Sequence, residues 1–170
     1  NAIEHATRLG NIASYRFPES AYRHYERLDA FPQGLLPLGD AICRFNPIYG
    51  QGMSVAAQEA RALAQLLADR ASSPSPLDGL APAFFAEAAA IIDTPWAMAA
   101  IPDFIYPDTR GERPADFKQR LKVGLAMGKL AARDPAIHKL VAEVAHLLKP
   151  RSVYQEPEFQ QRLQEVMAEA

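Results

Sequence analysis

Sixteen residues constrain this chain more than any others: Leu38-Gly-Asp-Ala-Ile-Cys-Arg-Phe-Asn-Pro-Ile-Tyr-Gly-Gln-Gly-Met53. An acid and a glycine-rich loop run there without a break into an apolar pattern of helical period. A helix that starts at such a loop leaves its first amides without carbonyl partners, so Gly52, Met53 and Ser54 are expected to present free N–H donors. Added to the positive end of the helix dipole, those donors suit a negatively charged or electron-rich oxygen. Gly50 and Gly52 allow positive φ and close approach of a ligand to the backbone. Just upstream, Leu35-Leu36-Pro37-Leu38 reads as a short buried strand ending at Gly39, although Pro37 cannot donate to a central ladder. Asp40 would then stand at a strand end, able to accept two hydroxyl hydrogen bonds, as a sugar or ribityl chain offers. The same residues also make an ordinary strand–turn–helix connection, with Asp40 as a cap and the glycines as turn formers.

The rest of the chain leans towards helix. Alanine occurs 31 times in the 170 residues, against 6 valines and 3 threonines, which favours helix over strand. Ile12 to Phe17 alternates loosely and predicts a strand ended by Pro18. Pro18-Glu-Ser opens a short helical pattern with Tyr22, Tyr25 and Leu28 on one face, and Phe31-Pro-Gln-Gly34 is a turn. From Met53 or Ser54 to about Ala71, the residues Ala56, Ala60, Leu63 and Leu67 fall on one stripe. Ser72 to Pro76 is a linker. A second helix is predicted from about Pro82 to Asp93, broken near Thr94-Pro95, and residues 101–114 form a proline-rich loop. Three further helices follow. Phe117, Leu121, Leu125 and Gly128 mark the first, Asp134-Pro135 caps the second, and Pro157 opens the third with Phe159, Leu163 and Val166 inward. The expected fold class is mainly α with a short β portion (α+β), divided at residues 1–71 and 72–170.

The stretch Gly34 to Met53, continued by Ala57, Glu59-Ala60 and Leu63, resembles the second FAD-binding motif of flavin-dependent aromatic hydroxylases, the para-hydroxybenzoate hydroxylase-like (group A) monooxygenases. Tyr15-Arg-Phe-Pro18, Thr94-Pro-Trp96, Asp103, Pro107, Gly111 and Arg113-Pro114 resemble a bacterial subgroup of FAD-dependent oxidoreductases. The resemblance implies the C-terminal segment of a Rossmann-type FAD-binding fold followed by a helical layer. It also implies roles: Gly39 and Asp40 hold the ribityl chain, Pro47 borders the flavin, and Gly50, Gln51, Gly52 and Met53 supply the loop and amides. Reduced flavin is anionic around N1 and O2, so a helix N-terminus there favours it. The family's Gly-x-Gly-x-x-Gly turn, which cradles the pyrophosphate, has no counterpart here, since Val55 stands where the third glycine of Gly50-x-Gly52 would fall. The expectation is therefore a fragment of a flavoprotein oxidoreductase. Intact, it would be an FAD- and NAD(P)H-dependent monooxygenase hydroxylating or epoxidising a small organic substrate, and a flavin reductase of carbon–carbon double bonds shares the motif. The alternative is a stand-alone helical interaction module without FAD, self-associating through bare apolar faces.

Charge and residue counts narrow the other possibilities. Residues 1–111 sum to −4 and 112–170 to +2, so neither half has the basic excess of a nucleic-acid binder. No apolar run reaches membrane-spanning length on reading the sequence, and no basic region precedes an apolar stretch at the N-terminus, so neither a membrane span nor a secretory signal is expected. A lone Cys43 excludes an internal disulfide and fits a cytoplasmic protein. It reads as a buried small hydrophobe more readily than a nucleophile. His5, His24, His138 and His146 lie at no metal-ligand spacing, so no metal is expected. Gly124 and Gly128 suggest close helix packing in a core. Trp96 and Phe84-Phe85 suit core packing or a substrate cavity. No general acid or base can be named from the sequence.

Overall fold

The computed structural model describes residues 4–7 and 9–169. Five helices dominate it: α1 (Gly52–Asp69), α2 (Leu80–Ala99), α3 (Phe117–Arg133), α4 (Pro135–Ala145) and α5 (Pro157–Ala168). The described strands are two, β1 (Ala21–Tyr22) and β2 (Cys43–Arg44), antiparallel with Ala21 opposite Arg44 and Tyr22 opposite Cys43. The chain is thus mainly helical with a two-stranded ladder.

The β portion lies elsewhere than the apolar runs suggested. Residues 12–17 form no strand and are largely exposed, with Ile12 and Tyr15 almost fully in solvent. Residues 35–38 form none either, and Leu35 and Leu38 are exposed. The pattern opening at Pro18 gives β1 and a 3-10 turn, Tyr25–Arg27, in place of a helix. The ladder is instead completed by Arg23 N–H donating to Ile42 O at 2.8 Å and Asn46 N–H to Ser20 Oγ at 3.2 Å. A ladder two residues long has no periodicity to read, so exposed leucines outweighed it in the sequence.

Two cores organise the molecule. In the first, α1 and α2 pack on the ladder around Ile42, Cys43, Phe45, Val55, Phe84, Phe85, Ala88, Ile92 and Ala99. Phe85 meets Phe31 edge-on at 4.8 Å and Tyr25 at 5.3 Å, while Trp96 lies 5.5 Å from Tyr22. The buried line on α1 is Val55 and Glu59, continued by the half-buried Leu63 and Leu66; of the expected stripe, Leu63 packs on the core and Ala56 is half-buried, while Ala60 and Leu67 are exposed. Helix α2 starts after Gly79, whose φ is 65°, and runs through Pro95 rather than stopping there. Proline forfeits only its own N–H bond and crowds one carbonyl, and buried Ile92 and Ala99 anchor the helix on both sides. Leu80–Ile105, at mean hydropathy 1.3, is long and apolar enough to cross a membrane by length and composition alone, a test that the core helix of a globular protein also passes. Its Phe84, Phe85, Ala88 and Ile92 are buried in the first core. Because α2 packs on α1, the first core crosses the boundary expected at residue 71.

The second core joins α3, α4 and α5 through Ala126, Leu130, Ile137, Phe159, Leu163 and Val166. Asp134 caps α4, accepting from Ala136 N at 2.7 Å and Ile137 N at 3.4 Å, and its carboxylate also takes Arg162 NH2 at 2.6 Å. Gly124, Gly128 and Leu125 face solvent, and nothing lies within 4 Å of where a Cβ on either glycine would sit. The close packing expected there is absent, because the buried face of α3 is Phe117, Ala126 and Leu130. Helix α4 ends in an αL cap made by a leucine. Leu147 has φ 60°, its N–H donates to Val144 O at 3.0 Å, and Leu148 N–H donates to Glu143 O at 2.8 Å. The Leu147 side chain packs against the first core, which fixes a conformation that L-residues rarely adopt.

Candidate functional site

The site expected from the sequence assembles around the start of α1. Asn46 opens a 3-10 turn, Pro47–Tyr49, by accepting from Ile48 N at 3.2 Å. Gly50 then takes φ 70°, which reverses the chain, and Gln51 leads into the helix. Val55 N–H is the first to find a carbonyl, that of Gln51 at 3.0 Å. The amides of Gly52, Met53 and Ser54 therefore remain free, as helix geometry requires. Gly52 itself is helical, so only Gly50 uses the left-handed region, but open space lies over both.

Gly39 and Asp40 join this group by a different route from the one expected. They begin a 3-10 turn, Gly39–Ala41, with Gly39 at φ 57°. Asp40 is exposed, not at the end of a buried strand. A Cβ on Gly39 would lie 3.5 Å from that of Ala56, so the turn rests on the first turns of α1. Its N–H donates to Glu59 Oε2 at 2.7 Å. The Asp40 carboxylate makes no hydrogen bond to a described residue; only its backbone oxygen does, accepting weakly from Arg23 NH1 at 3.4 Å.

Glu59, part of the motif but with no role assigned to it from the sequence, proves central to this corner. It is 0% exposed, and its Oε1 has no partner among the described residues. Burial pushes its carboxyl above the usual range, opposed by the Gly39 hydrogen bond and reinforced by the nearby Asp40 charge. The available signal was its place four residues after Val55, on the face that carries the core. Burial likewise raises the Cys43 thiol to about 12, helped by Glu59 and Asp40, so Cys43 is an inert core group.

Gln51 is 7% exposed and ties this corner to the second core. Its Nε2 donates to Ala145 O at 3.1 Å, the carbonyl of the last residue of α4, and its buried Oε1 has no partner among the described residues. A cavity of about 410 Å³ lies here, lined by Tyr49, Gly50, Gln51, Ser54, His146 and Leu147 among others. Pro47 and Met53, in contrast, turn outward, and Ile48 and Met53 are 81% and 87% exposed. The arrangement presents three backbone donors, one free carboxylate and one buried acceptor, rimmed by bare apolar side chains. It can hold a polar, electron-rich group on a flat apolar body. Among the described residues no cluster of histidine, cysteine and acids could hold a metal ion.

No known protein family's sequence profile matches the chain. The protein Rv3254 of Mycobacterium tuberculosis is 36% identical over 112 residues, which cover 65% of this chain and 23% of that protein. The chain therefore spans about a quarter of the length of the relative it matches.

Proposed function

We propose that this chain belongs to an FAD-dependent oxidoreductase of the monooxygenase type and supplies the isoalloxazine and ribityl side of its cofactor site. The observation that carries the reading is the Gly39–Asp40 turn, hydrogen-bonded at 2.7 Å to buried Glu59 and seated beside the free amides that open α1. These residues fit a flavin. Asp40 keeps its carboxylate free for ribityl hydroxyls, and the amides of Gly52, Met53 and Ser54 meet an electron-rich ring oxygen. The Gln51 Oε1, without a partner among the described residues, is an acceptor awaiting a donor. Open space over Gly50 and Gly52 lets a planar ring approach the backbone, while Pro47, Ile48 and Met53 give it an apolar border.

When bound, FAD supplies the electron transfer, with NAD(P)H as reductant and molecular oxygen as the second substrate. The chain's own contribution is to bind, to orient and to hold negative charge at the start of α1. The substrate on this reading is a small organic molecule that is hydroxylated or epoxidised. None of the 170 residues forms a Gly-x-Gly-x-x-Gly turn, so other residues hold the pyrophosphate. On the same reading, the two-stranded ladder is an edge of a larger Rossmann-type sheet.

Titration of the 170-residue chain with FAD, followed by flavin fluorescence and the visible spectrum, tests the proposal. Saturable binding is expected, weakened by Asp40→Ala about 10- to 100-fold, the worth of one or two hydrogen bonds to a charged group. A folded chain that leaves the flavin spectrum unchanged would sink it and favour an interaction module.

A further inference from the structure

A second cavity, of about 1100 Å³, lies between the end of α2 and the loop at 103–114. Trp96, which suits a substrate cavity, lines it, and none of the residues proposed to meet the flavin does. It is roomy on the scale of small-molecule sites. Its wall is held in place by several independent bonds. Tyr49 OH donates to Asp103 Oδ1 at 2.9 Å, Thr109 Oγ1 donates to Asp103 O at 2.6 Å, and Arg113 NH2 donates to Phe104 O at 2.9 Å. Gly111, at φ 133°, passes so close to Phe104 that a Cβ there would lie 3.3 Å from the ring.

The lining combines aromatic surface with surplus negative charge. Trp96, Phe104 and Tyr106 supply the aromatic walls, and Asp103, Asp108 and Glu112 face the same space with Arg110 as the cation. Glu19 also lines the cavity but is matched by Arg44 at 3.0 Å. Arg113 lies against this wall, 5.7 Å from the Phe104 ring centroid and 5.2 Å from that of Phe117, so it covers one face of Phe104 and leaves Trp96 and Tyr106 as the rings open to a guest. Asp108 and Glu112 form no ion pair among the described residues, so with Arg113 counted beside Arg110 three carboxylates face two guanidiniums around an aromatic-walled space. Carboxylates draw a cation in, and ring faces hold it once it sheds water.

We propose that this cavity is a binding site for an organic cation, a protonated or quaternary amine carried on an apolar body. Tyr49 links it to the loop at Gly50, so an occupant would lie beside the start of α1 without using its donors.

The chain's single tryptophan, Trp96, lines the cavity and reports directly. Its emission should change saturably with phenethylammonium and with benzyltrimethylammonium. Hydrocinnamate, an anion of matched size, should bind at least about tenfold more weakly, a discrimination in the range that one desolvated cation–π contact plus charge attraction provides. The double substitution Asp108→Asn with Glu112→Gln alters two exposed side chains, and should weaken phenethylammonium about tenfold without weakening hydrocinnamate. Equal or tighter binding of the anion overturns the proposal, as does the lack of any saturable change. A cation preference that survives the double substitution places the charge elsewhere and overturns it too.

Discussion

Glu59 has one oxygen on the Gly39 amide and the other without a partner among the described residues, and its side chain is fully buried. A carboxyl in that setting holds its proton to higher pH than in the unfolded chain, where 4.5 is the ordinary value. Between those two values the folded state binds more protons than the unfolded, so stability falls as pH rises. Glu59→Gln keeps an acceptor for Gly39 and removes the ionisation. Urea melts should show stability declining from pH 4.5 upward in the wild type more steeply than in Glu59→Gln; parallel pH profiles would refute the assignment. Asp134 pulls the opposite way. The Arg162 guanidinium, and then the Ala136 amide, hold it below 3.8, so its contribution is present above that value and lost as pH falls further. At this scale the sequence was informative about Gly50, whose residue type suits the left-handed turn that opens α1, but it placed Asp40 at the end of a strand that the structure does not form. It was silent on the role of Glu59, since a buried charge has no type signature; the residue stood in the motif, but only its register with Val55 pointed to its burial.

Among the elements, α2 bears most of the first core. Phe84, Phe85, Ala88 and Ile92 meet α1, the ladder and the aromatic group of Tyr25 and Phe31 from a single helix. Phe84→Ala, at a position 0% exposed, should cost about 3–5 kcal/mol in unfolding free energy. Denaturant unfolding measures it, and a loss well below about 1 kcal/mol would mean that the core collapses around the gap. Helices α4 and α5 were legible because their starts are local: Asp134-Pro135 and Pro157 combine a cap or acid with proline at the first turn. The existence of α3 was legible too, but not its inward face, since Leu125 and Gly128 are exposed and Ala126 and Leu130 are buried. The ladder was not legible. Its pairing joins residues about twenty positions apart over two residues each, and nothing in either pair announces the other. Leu35 and Leu38 look like strand because they are apolar, yet in this fold they remain exposed.

For the molecule as a whole, the two cores share no residue among those described, and the helices around them are joined by Gln51 with Ala145, Leu147 against the first core, and Phe104 edge-on to Phe117 at 6.2 Å. Units with separate cores open separately more easily than one continuous core. Trp96 sits in the first core alone, whereas helical circular dichroism sums over both. Urea unfolding followed by the two signals should give different midpoints, and coincident curves would show a single cooperative unit.

Gln51 gives that seam a second meaning. Its backbone carbonyl begins the hydrogen-bond ladder of α1, while its side chain holds the last turn of α4. The three free amides and the docking of the C-terminal helices therefore share one residue, and their equilibria are linked. A ligand that needs Gln51 seated tightens the docking by the same free energy that docking lends to the ligand. The far helices, which touch none of the donors, thereby acquire a say in how well they are occupied.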